Sequence, residues 1–251
     1  MFDKSALLAN DPMFEDIDAI NLAIARVRAL QRERVPFSDK NDFTLIQNQM
    51  EIFFQVYIRR ALMLVDGAKL TLESGYGLLT ITAVRSLFET AACIHDCCNC
   101  IIKHLDAGEV DEAIRQVHQR SYSQRFAVAE MKTEHFDYTA INVLKQIDAM
   151  GKTVPHARRS YEQLSESVHP NACGALLYFM GGEEDGHILL QQEEDRERLM
   201  GMLLAGASLF SLIYDDHLRF YSRIAKFAAD ELQKKIDDYE ARKRATQSLS
   251  G

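Results

Sequence analysis

Proline is scarce in this chain of 251 residues, and its four copies, Pro12, Pro36, Pro155 and Pro170, stand where helical patterns start or stop. A proline inside a helix removes a hydrogen bond and clashes with the preceding turn, so this placement leaves long helices intact and argues against a loop-rich β protein. No Val/Ile/Thr-rich alternating run of strand length stands out, and all-α is the economical fold class. Cysteine is sparse too. Five thiols, four of them crowded between Cys93 and Cys100, make an odd number at spacings unlike a disulfide framework, which suits a reducing compartment.

Basic charge is missing as a block. The formal net charge is -8 with no long basic run, which gives no indication of a sequence-independent grip on nucleic acid through a broad electrostatic patch and leaves room for a local basic site. The opening MFDKSALLAND lacks a basic segment followed by an apolar core and a small-residue cleavage site, so no secretion signal is expected and the chain is assigned to the cytoplasm. The uncharged run from Leu199 to Tyr214, bounded by Arg198 and Asp215, falls short of the roughly 20 apolar residues a membrane span needs. It reads as a buried core helix, with Gly201, Ala205 and Ser208 as small residues that let another helix come close. Gly-x-Gly-x-x-Gly, the phosphate-binding Gly-x-x-x-x-Gly-Lys loop and the Gly-x-Ser-x-Gly elbow are all absent, and no cofactor is expected.

What is present centres on Leu78 to Leu105, LLTITAVRSLFETAACIHDCCNCIIKHL, which is apolar nearly all round and so reads as a buried central helix. Within it Arg85 and Glu89 stand one above the other at i and i+4. Burying either charge unpaired costs several kcal/mol, on the order of what a whole domain retains, so the two are expected to pair and to find further partners on another helix. The second informative stretch is HARRSYEQLSESVHP, opened by Thr153-Val154-Pro155 and ended by Pro170. Arg158, Tyr161, Leu164, Ser165, Val168 and His169 share one face there, and they are the candidate partners.

The remaining chain reads as further helices: Asp11 (N-cap) and Pro12 to about Arg34, about Asp39 to Glu73, about Glu109 to Glu134, and Asp137 to Met150 with Gly151 as a C′ glycine. Leu45, Ile46, Ile52, Phe53, Val56, Leu62, Leu64 and Val65 are the expected core of the second. Gly181 to Gly186 reads as an exposed acidic loop. From about Gln192 to Thr246 a helical pattern runs without proline, as one very long helix or two with a bend near Asp215. Its last third, with Leu218, Tyr221, Ala225, Ala228, Leu232 and Tyr239 at alternating steps, suggests a coiled-coil seam interrupted by Lys235. The expected architecture is a single-domain bundle of about seven helices, with its core roughly at residues 11–214 and an oligomerisation arm at 215–246.

Arg85-x-x-x-Glu89, followed by Tyr161-x-x-Leu164-Ser165-x-x-x-His169-Pro170-Asn171, resembles a family of bacterial all-helical proteins of unknown function. That family is similar in outline to the HEPN group of helical nucleotide-binding and RNase domains, many of them parts of toxin and phage-defence systems. The resemblance covers roughly Asp39 to Leu212. Catalytic HEPN members carry an Arg and a His four to six residues apart, whereas here Arg159 to His169 is too long and Arg115 to His118 too short. If the pair comes from separate helices, Arg85 and His169 are the positions.

Two readings of the constellation stand side by side. It is a buried polar network that fixes helix register, or a pocket in which Arg85, Glu89 and His169 are catalytic and Arg158, Tyr161, Ser165 and Asn171 bind a ligand such as a phosphate. Cys93, Cys97, Cys100 and His104 invite a metal, but i to i+11 spans about 16 Å along a helix, too far for one tetrahedral ion, and buried thiols are expected instead. Glu166-x-x-His169 has di-iron spacing without the second pair that such a site requires. Glu183, Glu184, Asp185 and His187 are expected to form a solvated loop rather than a cation site, and Asp215-Asp216-His217 the polar edge of a core helix. No metal is expected. The function expected is that of a non-catalytic interaction or regulatory protein, a homo-oligomer off the membrane with a protein partner or itself, and a component of a bacterial defence or toxin–antitoxin system as the resemblance implies. The alternative is a HEPN-like RNase or nucleotide-binding protein using Arg85 and His169.

Overall fold

The computed structural model describes residues 1–3, 16–35, 42–122, 140–171, 174, 179–190 and 196–248. Among them are seven α-helices and one two-stranded hairpin, as an all-α bundle requires: α1 (Ile17–Ala29), α2 (Asp42–Glu73), α3 (Gly77–Asp106), α4 (Val110–Tyr122), α5 (Val143–Met150), α6 (Ala157–Val168), β1 (Met180–Glu184), β2 (His187–Leu190) and α7 (Arg196–Ser248).

With no proline between Pro36 and Pro155, α2 and α3 run 32 and 30 residues without a break. Glycine stops both. Gly75 and Gly108 take positive φ (78° and 74°), and the N–H of each bonds back to Leu72 and Leu105 while the next residues, Tyr76 and Glu109, bond to Thr71 and His104. These are Schellman turns, and a side chain at either glycine would strain them. The helix α3 is central as its composition predicts. It packs against α2, α4, α5, α6 and α7, with Val84, Leu87, Ala91, Ile94, Cys98 and Ile101 inaccessible to water. Both α3 and α7 are long and apolar enough to cross a membrane by length and composition. In both, 56% of that apolar stretch is buried within the bundle.

Several boundaries differ from expectation. Asp11 and Pro12 lie outside the described residues. The first helix ends at Ala29 rather than near Arg34, because the Gln55 side chain captures the Leu30 carbonyl (2.8 Å) and the Arg32 N–H (2.8 Å) and so peels the chain off its helical path. The helix expected to start at Asp137 starts at Val143, where Asn142 caps it by accepting the Leu144 N–H. Gly151 is not a left-handed C′ residue. Its φ is −61°, the chain continues in tight turns through Val154, and His156 carries the positive φ (63°) before α6. The expected loop at Gly181 to Gly186 is instead most of a β-hairpin, turned by Asp185 and Gly186, both at positive φ as a two-residue hairpin turn demands.

Expected core residues Val56 and Leu79 are exposed, while Met50, Phe54, Ile58 and Ala61 fill the core of α2. Gly201, Ala205 and Ser208 do not receive a helix: Gly201 faces open space, and Ala205 and Ser208 are exposed. The close approach of α7 to α3 is at Gly206, where an added Cβ would stand 2.9 Å from Val84.

In α7, described as one helix of 53 residues, burial continues past residue 214 through Asp216, His217, Phe220 and Ile224. Every described side chain from Ala229 to Ala241 is exposed. The seam expected through Tyr221 and Ala228 is shifted, because Tyr221 turns inward to Glu51 and the Phe54 ring and Ala228 is half-buried. The stripe that faces outward is Leu218, Ser222, Ala225, Ala229, Leu232, Ile236 and Tyr239, stepping four and three throughout, and Ile236 replaces Lys235 in it.

Candidate functional site

The expected constellation is half assembled. Arg85 and Glu89 pair along α3 (Nε to Oε1, 3.4 Å), and each is a little under one third exposed. From α6, buried Tyr161 lays its ring 5.5 Å from the Arg85 guanidinium, donates its hydroxyl to Glu89 Oε1 (2.9 Å) and accepts from Arg85 Nη2 (3.3 Å). The three close a triangle in which one positive and one negative charge cancel. Glu89 places a like charge beside any oxyanion that approaches Arg85, so the arrangement joins α3 to α6 better than it recruits phosphate.

The other candidates are elsewhere. Arg158 ties α6 to α5 through Asp148 (2.8 Å) and pairs with Glu162 (2.7 Å) on the outside. Ser165 is half-buried, and its hydroxyl has no hydrogen-bond partner among the described residues. His169 is exposed at the C-cap of α6, where its N–H bonds to the Ser165 carbonyl (3.1 Å). It comes eight residues after Tyr161, about 12 Å along a helix, so it does not join the triangle. Asn171 holds the following turn, accepting the Gly174 N–H (3.0 Å) and donating to Glu166 (2.7 Å). Beside the triangle a cleft of about 210 Å³ runs between α3, α6 and α7, walled by Phe88, Leu164 and Met202 with Ser160 and Gln163 on its rim. Ligand pockets hold about 300 to 1,000 Å³, so this one is small for a nucleotide.

The cysteine stripe is divided among neighbours. Cys97 faces the Met50 sulfur (3.7 Å), Cys100 faces Gln116 (3.6 Å) and His104 bonds to Glu109 (2.6 Å). Burial pushes the Cys97 and Cys98 thiols well above their ordinary range, so they stay protonated. Exposed Glu183, Glu184 and Asp185 lie on the hairpin, and His187 bonds back to the Asp185 carbonyl (3.0 Å). Among the described residues no group of three or more His, Cys, Asp or Glu side chains converges as a metal site.

Asp215-Asp216-His217 is the polar edge of a core helix only at Asp215, which is exposed; Asp216 and His217 are buried, each in a polar cluster whose partners lie far away in sequence. His95, on α3, bonds through Nδ1 to Asp216 of α7 (2.9 Å) and through Nε2 to the Thr153 hydroxyl (3.1 Å) in the turn before α6. A carboxylate only accepts, so Nδ1 carries the proton, and the Thr153 hydroxyl, able to donate or accept, partners Nε2. Arg219 completes the chain by donating to the other Asp216 oxygen (2.6 Å). The order hydroxyl, imidazole, carboxylate is that of nucleophilic triads, but the backbone N–H groups from Gly151 to Val154 are all used inside the turn. None is left there to stabilise an oxyanion, and the cluster works as a bolt through three elements.

In the second cluster, buried Glu51 accepts from Gln55 (3.0 Å) and from the Tyr221 hydroxyl, with Arg32 alongside (3.5 Å). His217 is stacked between Phe54 (4.9 Å) and Tyr221 (4.7 Å). Burial, with a contribution from Arg32, pushes its pKa down to about 4, so it is neutral near pH 7. The signal for both clusters was the same as for Arg85 and Glu89, an ionisable group inside an apolar run. Only the partners were distant.

No protein-family model, curated protein or solved structure matches this chain.

Proposed function

We propose that this is a helical interaction protein whose docking element is the distal third of α7, with the bundle as a rigid base. One observation carries the reading: Leu232, Ile236 and Tyr239, at 60%, 43% and 68% exposure, form an apolar line on a helix whose surroundings there are otherwise solvent. Single exposed apolar residues are ordinary, but a line of them at helical spacing on a projecting helix fits a partner's groove or helix. The polar triangle at Arg85, Glu89 and Tyr161 serves the base, since its opposite charges pair and the Tyr161 hydroxyl bonds to both. The free thiols of α3 suit a reducing compartment and support a cytoplasmic setting. A role in a bacterial defence or toxin–antitoxin system has the support of the two motifs around Arg85 and His169 alone.

The test is the double substitution Leu232→Asp with Ile236→Asp, followed by denaturant unfolding of the bundle. At protein concentrations low enough to separate any associated copies, stability should stay within about 0.5 kcal/mol of wild type, as for other exposed positions. A loss above about 2 kcal/mol that persists on dilution would show that the line packs on its own chain, and the docking reading would fall.

A further inference from the structure

We infer that the occupant of this line is a second copy of the same chain, in a parallel, in-register, two-stranded coiled coil along α7; this rests on the docking reading above. The outward stripe from Leu218 to Tyr239 holds steps of 4, 3, 4, 3, 4 and 3 residues, a period of 3.5 rather than 3.6. A straight helix drifts from such a stripe, and two helices keep it between them only by supercoiling about each other. The register places Ser222, Ala229 and Ile236 at a, and Leu218, Ala225, Leu232 and Tyr239 at d. Isoleucine at a with leucine at d is the combination that favours two parallel strands.

Charge sets the same direction. In the parallel register Lys235 at g reaches Glu240 at e of the second copy, twice by symmetry. Running the helices antiparallel so that Ile236 meets Leu232 instead brings Lys235 beside its own copy. A membrane surface fits poorly, because the outer flanks carry Asp230, Glu231, Asp237, Asp238 and Glu240 against Lys234 and Lys235, whereas interfacial helices present a wide apolar face with Lys and Arg around it. The stripe ends at Leu218, since the next position toward the bundle, Asp215, would face its own copy. Small residues at 222, 225 and 229 let the helix axes approach just beyond that point. Folding of the bundle has already nucleated α7, so association need not supply the cost of starting a helix.

Sedimentation equilibrium of the full chain, with its oxidation products under non-reducing conditions, tests this. Wild type is expected to shift from 28.6 kDa toward twice that mass with concentration, and Leu232→Asp with Ile236→Asp to remain at 28.6 kDa. Ile236→Cys alone should form a covalent dimer on mild oxidation, with wild type controlling for the native thiols, because a positions pair with themselves only in the parallel arrangement. Lys235→Glu should weaken association at least tenfold, and adding Glu240→Lys should restore it. Monomeric wild type at every concentration would overturn the second-copy inference while leaving the stability test of the docking line standing. A dimer that cross-links only when Ile236→Cys is mixed with Leu232→Cys would overturn the parallel direction. A dimer unaffected by the double aspartate variant would place association on another surface and overturn the inference entirely.

Discussion

Replacing Asp216 by alanine should be among the most damaging single changes available in this protein. The carboxylate is 3% exposed and accepts two hydrogen bonds, from His95 Nδ1 and from Arg219. Losing the bond to His95 costs about 1.5–3 kcal/mol, as for hydrogen bonds to charged groups, and leaving the buried imidazole N–H without an acceptor costs about 1–3 kcal/mol more. The Arg219 side chain is nearly half exposed, so water takes over its half of the contact and it adds little. The sum, about 2.5–6 kcal/mol, brackets the usual cost of about 3–5 kcal/mol for removing one member of a buried pair. In urea, with a slope of about 3 kcal/mol per molar, the unfolding midpoint should drop by about 1–2 M with the slope unchanged. Asp148→Ala removes an exposed contact to Arg158 and should cost at most about 1 kcal/mol, which calibrates the scale. Thr153→Val should cost about 1 kcal/mol, because Thr153 is exposed and water can replace its hydroxyl; a double-mutant cycle with Asp216→Ala should show coupling through the shared imidazole. A loss below about 1 kcal/mol for Asp216→Ala would refute the bolt.

Three further outcomes are expected. Because His217 has its pKa lowered from 6.5 to about 4 in the folded state, the unfolded chain takes up a proton first as pH falls; stability should be full above pH 6.5 and decline toward pH 4, and His217→Phe should remove that part of the slope in a pH series of unfolding curves. His169→Ala should change stability by no more than about 0.5 kcal/mol and Tyr161→Phe should cost about 1–2 kcal/mol, so equal effects in denaturant would contradict the separation of His169 from the triangle. Under native conditions Cys97 and Cys98 should resist iodoacetamide far longer than after unfolding, read by peptide mass spectrometry; rapid labelling of either would show that α3 is open to solvent.

The central helix was legible because apolar residues on every face admit one explanation, and its two glycine stops lie beside it in sequence. Arg85, Glu89 and Tyr161 were legible for a related reason: the cost of a buried charge demands a partner, and the segment around Tyr161 offered a phenol at the right spacing. His169 failed because that spacing extends a helix one residue past its end, where the chain turns to extended backbone. The bolt was invisible since His95 and Asp216 are 121 residues apart and nothing local links them. Val56 misled for another reason: a long helix contacted on more than one side has no single apolar stripe, and periodicity cannot say which residues face the gaps. The seam slipped because both Lys235 and Ile236 continue a heptad, and only the inward turn of Tyr221 toward Glu51 decides between them.

The bolt and the outward stripe meet on one rigid rod. Asp216 is clamped to α3 and, through His95, to the turn before α6, and Phe220, Tyr221 and Ile224 carry the packed root past the start of the stripe. From Ile224 to Ser248 the helix extends 24 residues, about 36 Å, so a tilt of about 5° at Ile224 sweeps the far end through about 3 Å. Mechanically α7 is a lever with a long, well-clamped root: whatever grips its tip works against the packing around Ile224, and a slight repacking there is magnified at the tip.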